Sequence, residues 1–193
     1  MNKQLSLFDG TRQRPVDNYA NRGLSLERAL ERQHEEYRAQ GRALITRQYD
    51  PSVVVKFPLA RIIGRAAVDY VGVLADGRCV AFDAKDCAGK RLELSRLQPH
   101  QAAYLASVQR MGGLAGVLAR FERARVYWVP YELWASQMGL CAAREGIKAR
   151  KSIAEKDLGE ELRVQGYDWM DVVMRCENRM IDLHGQAMYE AEP

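Results

Sequence analysis

Residues 68–86, VDYVGVLADGRCVAFDAKD, hold the side chains best suited to chemistry: Asp69, Asp83 and Lys85. Two apolar runs flank Ala75-Asp76-Gly77, a turn signal, so they read as the strands of a hairpin. Side chains two apart on a strand share a face, which puts Asp83 and Lys85 together. The loop decides whether Asp69 joins them. A two-residue loop, Asp76-Gly77, would set Asp69 opposite Ala84. A three-residue loop with Gly77 in the left-handed conformation pairs Leu74 with Arg78 and sets Asp69 opposite Asp83. Glycine as the third loop residue favours the second register, which gathers two carboxylates and a lysine on one patch of sheet.

Two opposed carboxylates repel, and such a pair needs a counter-charge. A divalent cation supplies one, because carboxylate oxygens suit a hard ion such as Mg2+ that keeps several waters. Water held by that ion loses a proton more easily, and the ion polarises a phosphoryl oxygen, which together serve phosphodiester hydrolysis. Lys85 would then steady charge developing on the phosphate or orient the attacking water.

The elements that must present this hairpin are legible in the flanking pattern. Leu24–Gln40 reads as a helix with Leu26, Leu30 and Tyr37 on one side, and Gly41 stands where it would stop. Ala43–Tyr49 and Val53–Phe57 read as strands parted by Asp50-Pro51, and Ala66–Leu74 and Arg78–Lys85 as the hairpin strands. Leu97–Met111 reads as a helix with Pro99 in its first turn and Gly112-Gly113 at its close. Strands Leu114–Phe121 and Arg125–Val129 and a short helix, Tyr131–Met138, follow. A charged connection, Glu145–Glu161, leads to a helix over Asp168–Leu183 with Asp168 as its N-cap. This order predicts an α/β (α+β) domain built on one mixed sheet flanked by helices.

The 193 residues suit one compact domain with appendages: a tail over residues 1–20, a core over 21–138, and the charged connection and helix over 139–193. Hydrophobic residues at 47% and charged residues at 28% exclude a disordered chain. The longest apolar runs, such as Leu114–Ala119, are far too short to cross a bilayer, and the N-terminus lacks the order of a secretion signal, so a cytoplasmic protein is expected. Cys79, Cys87, Cys141 and Cys176 are scattered, with no C-x-x-C pair, which points to reduced thiols rather than a zinc site. Residues 1–125 carry 21 Lys+Arg against 13 Asp+Glu, whereas residues 126–193 carry 8 against 12. That asymmetry suits a polyanion held by the front of the chain.

Several short motifs add up to a resemblance. Asn21-Arg22-Gly23-Leu24-Ser25-Leu26-Glu27 resembles the N-R-G-x-x-L-E opening of RecU-type Holliday junction resolvases, and Val68-Asp69-Tyr70-x-Gly72 resembles their T-x-D-Y-x-G strand. Phe82-Asp83-Ala84-Lys85 is similar to their F-E-A-K, His100-Gln101 to the H-Q of their next helix, and Met111-Gly112-Gly113-Leu114-Ala115 to the strand that follows. The matches are in order over residues 21–130, with a weaker echo at Arg150-Lys151-Ser152-Ile153. The resemblance implies a restriction-endonuclease-like, PD-(D/E)XK core that cuts four-way DNA junctions with Mg2+ (Mn2+ as a substitute) as a homodimer. It implies Asp69 and Asp83 as metal ligands, Lys85 as the catalytic lysine, Glu27 as a further ligand or water-holder, and Gln101 as support for the attacking water or the phosphate. Asp83 stands where the family has Glu, one methylene shorter with the same ligand chemistry. The family also carries a long stalk before its T-x-D-Y strand, whereas only Val53–Arg65 is available here, so a shortened stalk is expected. Arg61, Arg65, Lys90 and Arg91 flank the site as candidate phosphate contacts.

A second motif, Gln4-Leu5-Ser6-Leu7-Phe8, resembles the Q-L-[S/D]-L-F peptide by which bacterial replication and repair proteins dock on the β sliding clamp. Leu5, Leu7 and Phe8 could enter an apolar groove while Gln4 supplies a directional hydrogen bond, and the motif points to a bacterial or phage setting.

Overall fold

The computed structural model describes residues 19–56, 59–62, 64–138 and 150–176, with side chains throughout except in 19–24 and 53–62. The clamp-like peptide (Gln4, Leu5, Leu7, Phe8) and the end of the expected last helix lie outside the described residues.

The first helix, α1 (Tyr19–Ala39), begins five residues before the apolar stripe that announces it and ends at Gly41, whose φ of 68° stops a helix. Strand β1 (Ala43–Arg47) follows, then β2 (Ser52–Lys56) and β3 (Leu59–Ile62), which pair only with each other. This β2–β3 hairpin fills the place of the expected short stalk.

The reactive hairpin is β4 (Tyr70–Leu74) and β5 (Cys79–Cys87). Its register is the three-residue one: Val73 pairs with Cys79 and Tyr70 with Phe82, the Leu74 N–H donates to the Arg78 carbonyl at 2.9 Å, and Gly77 has φ 87°. Gly72 has a different reason. A Cβ there would stand 2.3 Å from the Leu44 carbonyl oxygen, so only glycine lets β1 approach β4 this closely. The strand expected over Ala66–Leu74 is corrected at its start. Residues 66–69 form a bend, held by Asp50 Oδ1 accepting the Ala66 N–H at 2.8 Å, so Asp69 stands at the entrance to β4.

Beyond β5 come β6 (Arg91–Glu93), α2 (Pro99–Arg110), β7 (Leu114–Phe121), β8 (Arg125–Pro130) and α3 (Tyr131–Gln137). Helix α2 carries the chain across so that β7 runs parallel to β5, while the other neighbours in the main sheet are antiparallel. Two later strands, β9 (Ser152–Ala154) and β10 (Arg163–Val164), come from the stretch expected to be a charged connection. Strand β9 pairs with β6, and β10 closes the main sheet, whose order is β1-β4-β5-β7-β8-β10. The core therefore continues past residue 138.

Alternation along the strands separates two cores. Val80, Phe82, Leu118 and Trp128 face α1, meeting Leu26, Leu30 and Tyr37 and, from the 170–176 helix, Val172 and Val173. Ala81, Val117, Ala119 and Val129 face α2 and α3, meeting Leu105, Val108 and Trp134. Asp168 is not the cap of the last helix, which starts at residue 170. Its carboxylate instead accepts the Tyr37 hydroxyl at 2.7 Å and pairs with Arg42 at 3.5 Å, tying the 165–168 segment to α1 and the turn after it. Among the described residues no helix is long and apolar enough to cross a membrane.

Candidate active site

The end of the sheet where β4 begins and β5 finishes brings Asp69, Asp83, Lys85 and Gln101 together. Asp83 is completely buried on the α2 face of β5, two residues from Lys85 and therefore on the same side. Continuing the β4–β5 register one step places Asp69 opposite Asp83, and Asp69 is anchored there by accepting the Ala84 N–H through Oδ2 at 2.8 Å.

Gln101 reaches the pair from the first turn of α2. Its Oε1 accepts the Gln98 N–H at 2.9 Å in a reciprocal cap, with Pro99 opening the helix. That bond fixes which end of the amide faces inward, so Nε2 donates to Asp83 Oδ1 at 2.6 Å. The second oxygen, Oδ2, forms an ion pair with the Lys85 ammonium. Burial and the neighbouring Asp69 carboxylate push the Asp83 pKa up to about 7, against the pull of Lys85. The centre is thus short of positive charge. Lys85, whose side chain is 13% exposed, is the cation between the acids and solvent.

Glu27 is placed differently. It lies on α1, and its Oε2 is bound by Arg47 at 2.7 Å, while Arg47 also holds Glu31 at 3.0 Å. Arg47 pairs with Tyr70 across the β1–β4 ladder, so this cluster belongs to the α1 side of the sheet. Among the described residues no three His, Cys, Asp or Glu side chains converge as a metal cage, so the centre is a two-carboxylate one. A divalent cation fits it chemically: two facing acids that share one lysine, and an oxygen donor set suited to a hard ion.

The candidate phosphate contacts gather near the same end. Arg65 is exposed and four residues ahead of Asp69. Lys90 and Arg91 are exposed just past β5, and the Arg91 guanidinium donates to Ser152 Oγ at 3.0 and 3.1 Å, a neutral partner that leaves its charge available. Arg61 lies on β3 with its side chain outside the described part.

One cluster escapes the sequence reading. Arg120, 3% exposed on β7, makes paired bonds to Asp86 (Nε to Oδ1 at 3.0 Å, Nη2 to Oδ2 at 2.7 Å), and it also donates to Ser25 Oγ and the Tyr167 hydroxyl. An arginine inside the apolar run LAGVLARF is the signal that a buried acid awaits it.

A mixed sheet whose antiparallel hairpin ends in an aspartate facing Asp-x-Lys, backed by a helix glutamine, defines a restriction-endonuclease-like, PD-(D/E)XK core. The pattern of the family described as "Recombination protein U", RecU, matches residues 21–167. A Holliday junction resolvase RecU of Geobacillus sp. (strain WCH70) is 30% identical over 169 residues, covering 82% of this chain and 79% of that protein. One of Shouchella clausii (strain KSM-K16) is 32% identical over 125 residues, covering 58% of this chain and 60% of that protein. Among solved structures, Hjc of Archaeoglobus fulgidus, a Holliday junction resolvase, is similar at a TM-score of 0.43 and 17% identity, covering 74% of this chain and 90% of that one. The chain belongs to the RecU family.

Proposed function

We propose that the chain is a divalent-metal-dependent endonuclease that resolves four-way DNA junctions by paired symmetric nicks, with Mg2+ as its metal and Mn2+ as a substitute. Membership of the RecU family makes it a Holliday junction resolvase, a nuclease of DNA recombination and repair. The observation that supports the metal-dependent mechanism is Asp83: a fully buried carboxylate whose pKa burial and the facing Asp69 push up to about 7, so that two acids share the single ammonium of Lys85. That surplus of negative charge is what a divalent cation would balance.

When bound, a divalent cation would neutralise the pair and polarise both the scissile phosphate and the attacking water. Asp69 and Asp83 would hold it. Gln101, oriented by its cap, keeps Asp83 Oδ1 fixed, and its amide stands where a water or a phosphate oxygen can also be met. With the acid pair neutralised, Lys85 would be freed from Asp83 and could offer its N–H groups to charge developing on the phosphate. Glu27 would serve as third ligand or water-holder once Arg47 releases it. Arg61, Arg65, Lys90 and Arg91 would seat the DNA backbone, giving binding that weakens steeply with salt.

Each chain carries one such site and a junction needs two cuts, so the working unit is a two-fold homodimer. The peptide Gln4–Phe8 docks the enzyme on a bacterial sliding clamp, and the cytoplasm is its compartment. A four-way junction labelled on each arm, with a matched linear duplex beside it, tests the activity in Mg2+ with wild type and Asp83→Asn. Paired nicks confined to the branch, absent in the variant, are expected. Equal cutting of the duplex would favour a nuclease of broader DNA substrates, the reading that the short β2–β3 hairpin supports. Binding of the junction without cutting by either protein would sink the enzyme.

A further inference from the structure

On the other side of the sheet from the acid centre, between α1 and β1 at the foot of the β2–β3 hairpin, a cleft of about 1050 Å3 opens. Arg28, Arg32, His34, Arg47, Tyr49 and Tyr70 line it. Its size is that of a generous small-molecule site, which runs to about 1,000 Å3.

Three features give it a chemical character. Tyr70 is completely buried, and its hydroxyl has no hydrogen-bond partner among the described residues. Such a group in a native interior calls for an explanation, since leaving it unpaired is costly. Arg47 beside it directs its N–H groups to Glu27 and Glu31 instead. Next, the Tyr49 ring is 69% exposed, with the Arg47 guanidinium 4.9 Å from its centroid. This is an open aromatic platform braced by a cation. Finally, Arg28 and Arg32 stand one turn apart on α1, exposed, and make no ion pair among the described residues. Of the acids of the cleft, Glu31 is paired with Arg47 and Glu35 with Arg38, while Glu36 accepts only the neutral Gln33 amide.

Position links the cleft to the reaction. Tyr70 follows Asp69 directly, about 3.8 Å on along the backbone, and the two residues sit on opposite sides of the sheet. A DNA strand with one phosphate at Asp69 and Asp83 that ran past the end of the sheet would bring its neighbouring nucleotide to the α1 side.

We propose that this cleft receives one unpaired nucleotide of branched DNA, its base stacked on Tyr49, an edge atom bonded to the Tyr70 hydroxyl, and its phosphate met by Arg28 and Arg32. A base inside a duplex is already stacked on both faces and cannot enter, whereas a base freed at a branch can, whatever its identity. The inference rests on the reading of the chain as a nuclease of branched DNA, and it gives that nuclease a means of preferring branches.

The test places 2-aminopurine at the branch of a four-way junction and, separately, in a single-stranded oligonucleotide, and binds each to the full chain carrying Asp83→Asn to prevent cutting. Stacking on Tyr49 should quench the probe in both. Adding Tyr49→Ala should abolish the quench and weaken junction binding about tenfold while leaving duplex binding unchanged, and Tyr49→Phe should keep both. Tyr70→Phe should weaken oligonucleotide binding about threefold while leaving the fold at least as stable, since it deletes an unpaired hydroxyl. Unchanged quench and affinity in Tyr49→Ala, or no quench by the parent protein in either DNA, would overturn the cleft. If the parent protein binds the junction no better than duplex, the junction reading fails on its own. The single-stranded arm then still decides: a Tyr49-dependent quench sustains the nucleotide site, and its absence removes it.

Discussion

Asp83 and Asp86 lie three residues apart on β5 and face opposite sides of one sheet, and their surroundings could hardly differ more. Asp86 receives two bonds from Arg120, a guanidinium buried with it and held in turn by Ser25 and Tyr167. Asp83 meets a second carboxylate, one amide and one lysine, so two acids share a single cation. The first arrangement is balanced within the protein: one guanidinium fork against one carboxylate, charge against charge. The second leaves one negative charge in excess, which a further positive charge would balance. The lesson is that a buried acid declares its purpose by what it lacks. Asp86 knits α1, β5, β7 and the 165–168 segment together, and Asp83 stores an unmet demand.

If that distinction is right, the two acids should respond oppositely to substitution. The largest effect belongs to Asp83→Asn, which should abolish junction cleavage in a single-turnover assay while the protein stays folded. Lys85→Ala should slow the same reaction by about 10²- to 10³-fold, the usual loss for one group that stabilises developing charge. On the other face, Arg120→Ala should cost about 3–5 kcal/mol in denaturant unfolding, because it strands the Asp86 charge in the interior. Joint replacement of Asp86 and Arg120 by Leu and Met should recover most of that loss. A stable Arg120→Ala protein would break the comparison.

How much of this was open to reading beforehand differs between the two acids for a physical reason. The Asp69–Asp83 pairing is local, since loop length and Gly77 fix an antiparallel register within fourteen residues, and alternation then sets Lys85 beside Asp83. The Asp86–Arg120 pairing is long-range. It depends on a parallel register, Asp86 beside Arg120, established only after α2 has crossed over. Glu27 illustrates a third case. Its helix is plain from the apolar stripe, but its partner, Arg47, follows from how α1 packs on β1, which no stripe reports. Strands β9 and β10, three and two residues long, are too short to show any period and exist because β6 and β8 offer them edges.

A second satisfied group on the α1 side sharpens the contrast by pH. His34, 6% exposed, sits among Tyr37, Tyr70, Phe82 and Trp169, and its Nε2 accepts the Trp169 indole N–H at 3.3 Å. Burial lowers its pKa from 6.5 to about 4. Between those values the unfolded chain takes up a proton that the folded imidazole does not, so stability falls as pH falls, by about 3 kcal/mol in full. Asp83 works the other way. Its folded pKa lies above the unfolded value, so over the window from 3.8 to about 7 it favours the fold as pH falls. Unfolding measured in the Asp83→Asn background isolates the histidine: acid destabilisation should be steeper there than in wild type, and His34→Gln should flatten it. An unchanged slope in His34→Gln would show that the imidazole is not the acid-sensitive group.

The smallest effect bears most directly on the unmet demand of Asp83. A ligand that binds only the folded protein stabilises it by mass action, about 1.4 kcal/mol at ten times its dissociation constant. For a chain of this size that is a rise of about 3–6 °C in melting temperature. Mg2+ or Mn2+ should produce it without any DNA present, and chelation should reverse it. Asp83→Asn and Asp69→Asn should each remove the rise, because either change leaves one carboxylate where two are needed. Glu27→Gln is the informative third arm. If Arg47 lets Glu27 turn to the cation, this variant should shrink the shift, and if Glu27 stays with Arg47 the shift should match wild type. A metal-induced rise that survives both aspartate changes would place the cation elsewhere and leave the opposed acids without their counter-charge.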